Sequence, residues 1–293
     1  MVKPFRFSVN MVTLSDGAEW AARCRRAEDI GYDVIQVADH LGMPAPFPAM
    51  VAAAAATERP RIGTFVLNAA FWNPALLARE VATVDSLIGG RLEVGIGAGY
   101  VREEHETAGI LYRSPGGRVD HLARTVEELD RFLRDEKHVP KPSQRPRPPL
   151  LIAGGGDRVL KLAAERADVV AFAGGLQVTP GELRVLSAEG LDERVARYRE
   201  FAAGRTTEAE LNLLIQLVVI TDDRRAALRE YCAFAPYLTE EEVLGLPVLA
   251  VGTVEEIAAQ FRATRERYGF SYFSVLEPYM EAFAPVVEEL RGT

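Results

Sequence analysis

Residues 31–41 read Gly31-Tyr32-Asp33-Val34-Ile35-Gln36-Val37-Ala38-Asp39-His40-Leu41. The β-branched run over 33–38 predicts a buried strand that passes directly into a carboxylate and an imidazole. Upstream, residues 5–11 form a short apolar-rich run with period-2 character. Residues 20–30 place apolar side chains among Arg23, Arg25, Arg26, Glu28 and Asp29, the pattern of an amphipathic helix. Downstream the alternation continues with a helix over 47–57, a strand over 61–67 and a proline-opened helix over 74–88 that stops at Gly89-Gly90. Strands over 91–96, 149–153 and 168–173 then alternate with helices over 118–133 and 157–166. Beyond these come a helix near 191–203, a Leu/Ile/Val strand over 211–220, helices over 222–234, 240–244 and 254–268, a strand over 271–276 and a last helix over 282–290. Strands alternating with helices require a parallel sheet. Eight such units in 293 residues fit an α/β (β/α)8 TIM barrel with insertions better than an open sheet. No low-complexity linker divides the chain, so residues 1–293 are expected to form a single domain.

The composition suits a water-soluble protein with a large core: 48% of residues are hydrophobic and 26% charged. A net charge of −8 leaves no footprint for a nucleic-acid partner, which directs attention to small-molecule chemistry. Cys24 and Cys232 are far apart and lack a Cys-x-x-Cys spacing, as in a reducing cytoplasm. Residues 1–13 lack the apolar stretch of a signal peptide, and the run over 49–56 is much too short to span a membrane. The histidines at 40, 105, 121 and 138 have no i, i+4 partner, so no metal site is expected. The proline-rich stretch 139–149 reads as a stiff strap. Its basic neighbours Lys137, Lys141, Arg145 and Arg147 run from a helix into a strand, at the N-terminal face of a barrel, and read as solvated surface.

In a barrel, chemistry sits at strand C-termini and the loops that follow. Asp39-His40 lies there. One reading is a turn cap beside a packed ring; the other is a proton-handling or cofactor-contacting pair in which the carboxylate tunes the imidazole. The stretch Gly95-Ile96-Gly97-Ala98-Gly99-Tyr100 nearly reproduces G-x-G-x-x-G. Tyr100 stands in the last glycine's place and three βα units precede it, against a Rossmann unit. Its glycines either admit a planar ligand or relieve crowding in the barrel wall. Gly154-Gly155-Gly156-Asp157 opens a helix, where free N–H groups and the helix dipole suit a phosphate, and Gly174-Gly175 is placed to widen that cradle.

Three segments together, 31–41, Arg61-Ile62-Gly63-Thr64-Phe65-Val66-Leu67 and Gly89-Gly90-Arg91-Leu92-Glu93-Val94-Gly95-Ile96-Gly97-Ala98-Gly99-Tyr100, resemble the bacterial luciferase-like flavin and deazaflavin oxidoreductases. Asn73-Pro74-Ala75-Leu76-Leu77-Ala78-Arg79-Glu80 and Gly154-Gly155-Gly156 follow in the family's order, and the branch using coenzyme F420 is the most similar. The resemblance implies a luciferase-like barrel with the cofactor ring over its C-terminal mouth. It also implies contacts from Asp39 and His40 near the reactive ring, and a non-proline cis bond at Phe65–Val66 behind it. A phosphate cradle at Gly154, Gly155 and Gly156, with Ala173 and Gly174 near by, completes the implied site. Asn68, Ala98 and Gly99 join Phe65 and Val66 as expected cofactor neighbours. Trp72, Glu103, Glu104 and His105 are further rim candidates. The family's sugar-phosphate dehydrogenases carry a catalytic Glu where this chain has Tyr100 and a Lys where it has Leu176, which argues against that activity.

The resulting expectation is an oxidoreductase that moves a hydride between coenzyme F420 and an organic substrate. His40 is expected to handle the proton, with Tyr100 as the next donor. An FMN-dependent monooxygenase using reduced flavin and O2 is the alternative, and a non-catalytic cofactor-binding paralogue is a third. A homodimer is implied by the resemblance alone.

Overall fold

A computed structural model describes residues 3–179 and 182–293 of the chain. Its strands are β1 (Arg6–Met11), β2 (Val34–Val37), β3 (Arg61–Thr64), β4 (Leu67–Asn68), β5 (Leu92–Gly97), β6 (Leu150–Ala153), β7 (Val169–Phe172), β8 (Gly175–Thr179), β9 (Glu182–Val185), β10 (Glu210–Ile215), β11 (Leu217–Ile220), β12 (Leu249–Gly252) and β13 (Phe270–Leu276). The main sheet runs β3-β2-β1-β13-β10-β7-β6-β5-β4, and β3 also pairs β5, so the sheet closes. All its pairings are parallel. Because β3 and β4 are two pieces of one staggered wall position, this is the eight-stranded (β/α)8 barrel that the alternation predicts.

Strand periodicity sorts the side chains into two layers. On β1, Phe7, Val9 and Met11 face the helices and belong to the large outer core. Arg6, Ser8 and Asn10 face inward. The barrel interior is partly apolar, through Val34, Leu151, Val169, Ala171 and Tyr272. It also holds a satisfied polar chain: Ser8 Oγ lies 2.9 Å from Gln36 Oε1 and 2.7 Å from Ser274 Oγ, Gln36 Nε2 donates to Tyr272 Oη at 3.0 Å, and Asn212 Nδ2 donates to Ser274 Oγ at 2.8 Å. The N-terminal end is plugged by charge. Arg6 pairs with Glu93 at 2.6 Å and Glu210 at 2.5 Å, and Arg61 also reaches Glu93 at 2.7 Å.

One wall position departs from regular geometry. Between β3 and β4 the Phe65–Val66 bond is cis, as the resemblance implies, and the ladder to β5 is interrupted there. The Thr64 side chain replaces the missing rungs: its hydroxyl donates to Gly95 O at 2.7 Å and accepts from Gly95 N at 2.9 Å. Asn10 Nδ2 donates to the Phe65 carbonyl at 3.2 Å. This irregular segment leans so closely on β5 that a Cβ on Gly95 would lie 2.0 Å from Thr64 O. One on Gly97 would lie 3.0 Å from Val66 Cγ2, and one on Gly99 2.2 Å from Asn68 Oδ1.

Three sequence expectations need correction. The run over 211–220 is two strands: the chain leaves the barrel at Gln216, whose N–H donates to Val248 O at 2.8 Å, and β11 then pairs with β12 in a separate two-stranded sheet. The antiparallel hairpin β8–β9 and strand β12 have no counterpart in the sequence reading, and the helix over 222–234 is two short pieces, Arg224–Ala227 and Arg229–Phe234. Finally, Arg147 is no solvated strap residue. Its side chain is only 8% exposed, bridging Asp130 at 2.6 Å and Asp168 at 2.5 Å.

The close approach at Gly95 is directly testable. Gly95→Ala is expected to cost about 3 kcal/mol or more, because the nearest obstacle is backbone rather than a movable side chain. Gly204→Ala, which meets nothing within 4 Å, should stay within about 0.5 kcal/mol of the parent in urea denaturation. Equal midpoints for the two variants would refute the packing argument.

Candidate active site

The C-terminal mouth has a half-buried apolar floor: Phe65, Val66 and Ala153 pack on the inner core cluster from β3–β4 and β6. Leu214 and Leu276, the latter closing β13, are also half-buried at strand ends. On one side of this floor stand the residues that follow β2 and β5.

Asp39 and His40 are adjacent in sequence but have separate partners. Asp39 is buried, and its Oδ2 accepts both the Trp72 Nε1–H at 2.8 Å and the Asn68 backbone N–H at 3.1 Å. It thereby ties β4 and the loop beyond it to the end of β2. Asn68 is consumed locally, its Oδ1 accepting the Ala70 N–H at 3.1 Å. Trp72 packs edge-on against Phe47 with ring centroids 5.0 Å apart. Burial raises the Asp39 carboxyl above the ordinary aspartate range, against the pull of those hydrogen bonds and of His40.

The carboxylate that meets His40 comes instead from the short helix Arg102–Thr107. His40 Nδ1 lies 2.7 Å from Glu104 Oε1. Tyr100 stands edge-on to the His40 ring at 6.2 Å, half exposed, with its carbonyl held by Tyr112 Oη at 3.0 Å. Burial first, and then the neighbouring Glu104, push the Tyr100 phenol up. Of the other rim candidates, Glu103 is exposed. His105 is fully buried, donating from Nδ1 to Val101 O at 2.9 Å with its ring beside Phe71 and Tyr112, and so serves as the anchor of that helix. The sequence reading named Glu104 only as one rim residue among several. Its link to His40 spans 64 positions, and local pattern carries no signal for it.

Across the floor, the glycine turn follows β6. A Cβ on Gly155 would lie 2.7 Å from Leu176 Cδ2, one on Gly154 2.8 Å from Val159 Cγ1, and one on Gly174 2.1 Å from Val248 Cγ1. Packing therefore explains these three, as it explains Gly99. Gly156 is different: nothing lies within 4 Å of its Cβ position, and it heads the ten-residue helix Asp157–Arg166 with no side-chain cap. Ala98 is half-buried beside the mouth, and Ala173 is exposed, its carbonyl taken by Gln216 Nε2 at 2.6 Å. Open space at an uncapped helix start, facing an apolar floor, fits a planar cofactor that carries a phosphate. Among the described residues, no cluster of three or more His, Cys, Asp or Glu is arranged for a metal, and no helix is long and apolar enough to cross a membrane.

The raised Asp39 carboxyl has a signed consequence. A carboxyl whose folded pKa exceeds its unfolded value favours folding below the unfolded value, and that benefit is lost as pH rises through the folded one. At pH 7 the ionised group thus opposes folding. Asp39→Asn keeps an oxygen able to accept both N–H groups, so it should match or exceed the parent's stability at pH 7, with the advantage shrinking toward pH 4. Asp39→Ala leaves two buried donors unpaired and should lose about 1–3 kcal/mol at both pH values. Denaturation of the three proteins at the two pH values checks this, and a less stable Asn variant at pH 7 would contradict it.

Comparison with known proteins places this geometry in context. The chain is 33% identical over 177 residues to an uncharacterized protein of Mycobacterium tuberculosis, with 57% of this chain aligned, and it spans only 58% of that relative's length. It is 30% identical to an F420-dependent glucose-6-phosphate dehydrogenase of Kribbella flavida, over 86% of each chain. It is 26% identical to the oxygenase component of a flavin-dependent trigonelline monooxygenase of Acinetobacter baylyi, over 80% of this chain and 70% of the other. The solved structure of an F420-dependent secondary alcohol dehydrogenase in complex with an F420–acetone adduct has the same fold. Its TM-score is 0.76 at 18% identity, over 98% of each chain. The luciferase-like monooxygenase family model matches residues 1–242, and the chain belongs to that family.

Proposed function

We propose that the protein is an oxidoreductase that uses coenzyme F420 to exchange a hydride with a small organic substrate. The observation that carries this reading is the coexistence, around one apolar floor, of a carboxylate-backed histidine and an open, uncapped helix start. The glycine turn would hold the cofactor's phosphate through the N–H groups at Gly156 and Asp157, where the helix dipole favours an anion. Phe65 and Val66 would support the ring. When bound, the cofactor supplies the two-electron chemistry. The chain's own part is to orient the reactants, exclude water with its apolar floor and move a proton at His40 Nε2.

The choice of F420 over FMN leans on relatives near 30% identity named as F420-dependent. The family name and the Acinetobacter relative favour the second reading, an FMN-dependent monooxygenase. Sugar-phosphate oxidation is not proposed, because Tyr100 and Leu176 put a phenol and an alkyl group where an acid and an ammonium are expected for it.

Titrating purified protein separately with oxidised F420 and with FMN, followed by fluorescence, tests the cofactor. Micromolar binding of F420 with negligible FMN binding is expected, and the reverse result overturns the reading. In the same assay Gly156→Asp should weaken F420 binding at least tenfold while slightly raising thermal stability, since an N-cap carboxylate stabilises the helix and occupies the N–H groups a phosphate needs. Unchanged affinity would move the phosphate elsewhere. His40→Ala should lower turnover by about 10²–10⁴-fold with F420 affinity nearly intact, assayed by reoxidation of reduced F420 with a panel of enones, imines and ketones. Turnover equal to the parent's would remove His40 from the mechanism.

A further inference from the structure

We infer that Glu104 is a positioning residue that holds His40 in the single tautomer presenting an unprotonated Nε2 to the mouth. The inference rests on the proposed role of His40 and deepens it, because it says how that role is enforced.

An ionised carboxylate has no hydrogen to give, so at 2.7 Å from Glu104 Oε1 the His40 Nδ1 must be the donor. In a neutral imidazole the other nitrogen then carries the lone pair. Among the described residues His40 Nε2 has no hydrogen-bond partner, and it is not an enclosed atom: the ring is 31% exposed, whereas the Glu104 side chain behind it is only 13% exposed. The solvent-poor side of the ring is thus committed to holding it, and the accessible side is left for chemistry. A histidine in water favours the opposite tautomer, with hydrogen on Nε2, so this preference has to be imposed.

Glu104 is well placed to impose it. The helix that carries it is pinned one residue later by buried His105, whose ring sits 5.7 Å from Phe71 and 5.1 Å from Tyr112. Tyr112 in turn holds the Tyr100 carbonyl, and Tyr100 flanks the His40 ring. Asp39 is unavailable for the task, since both of its recorded hydrogen bonds go to Trp72 and Asn68. When Nε2 takes a proton from a hydroxyl whose carbon gives up hydride, the resulting imidazolium lies against a carboxylate, and the pair passes from a net charge of −1 to zero. In the reverse direction the same nitrogen returns that proton. A base oriented by a third group has the logic of a catalytic triad without its nucleophile.

The test is ¹⁵N NMR of the histidine side chains in the ligand-free protein at a pH where the imidazoles are neutral, with His40 assigned by loss of its signals in His40→Gln. The hydrogen is expected on Nδ1 in the parent and should shift to Nε2 in Glu104→Leu and in Glu104→Ala. Hydrogen on Nε2 in the parent, or an unchanged tautomer in the variants, overturns the proposal, and the parent spectrum decides even if a variant does not fold. In turnover, Glu104→Leu should lose about 10²-fold in kcat with F420 affinity within about twofold of the parent. Glu104→Gln, which still offers an accepting oxygen, should recover at least tenfold of that loss. A fall in affinity with kcat preserved would assign Glu104 to binding and overturn the proposal. If the parent fails to bind F420, the cofactor reading falls while the NMR result still decides the role of Glu104.

Discussion

The structure depends on a reciprocal pair of hydrogen bonds between one side chain and one backbone unit. The Thr64 hydroxyl gives to Gly95 O and receives from Gly95 N, so a barrel strand can stop behaving as a strand without leaving buried polar groups unpaired. Everything distinctive about the mouth follows from that interruption. It turns Phe65 and Val66 toward the floor and leaves the Phe65 carbonyl to Asn10. Two residues later Asn68 emerges, and Asp39 takes its N–H. The glycines at 95, 97 and 99 are the space this requires, at alternate positions because alternate residues of β5 face the same side.

Much of the barrel is legible in the chain because its signals are local. Strand 33–38 and the helix closed by Gly89-Gly90 follow from side-chain period and stop residues, and the observed elements lie within a few positions of those readings. The errors share a different cause. Residues 211–220 form one uninterrupted apolar run apart from Gln216, and only the pairing of its second half with β12, thirty residues on, shows that two sheets divide it. Arg147 looks solvated among prolines. Asp130 and Asp168, which surround it, are far from it in sequence.

The same distinction applies to the site. Asp39-His40 was visible as a dipeptide at a strand end, and adjacency suggested that the two act together. Consecutive residues leaving a strand diverge, however, and the backbone gave each its own environment. Asp39 became an internal brace between loops, and His40 met a carboxylate delivered by a helix after β5. Of the glycines that suggested a ligand, Gly99, Gly154, Gly155 and Gly174 are accounted for by neighbouring protein atoms, which leaves Gly156 as the position where sequence pattern and open space agree.

The charged plug at the opposite end of the barrel also bears on traffic. Arg6, Arg61, Glu93 and Glu210 close the N-terminal end beneath a fully packed interior, so the barrel is a well with one opening rather than a tunnel. In a well, order of arrival is set by depth. A molecule seated on the floor must arrive before one that rests above it and cannot leave until that one has gone, so the architecture imposes a sequence of events that no side chain at the rim needs to enforce.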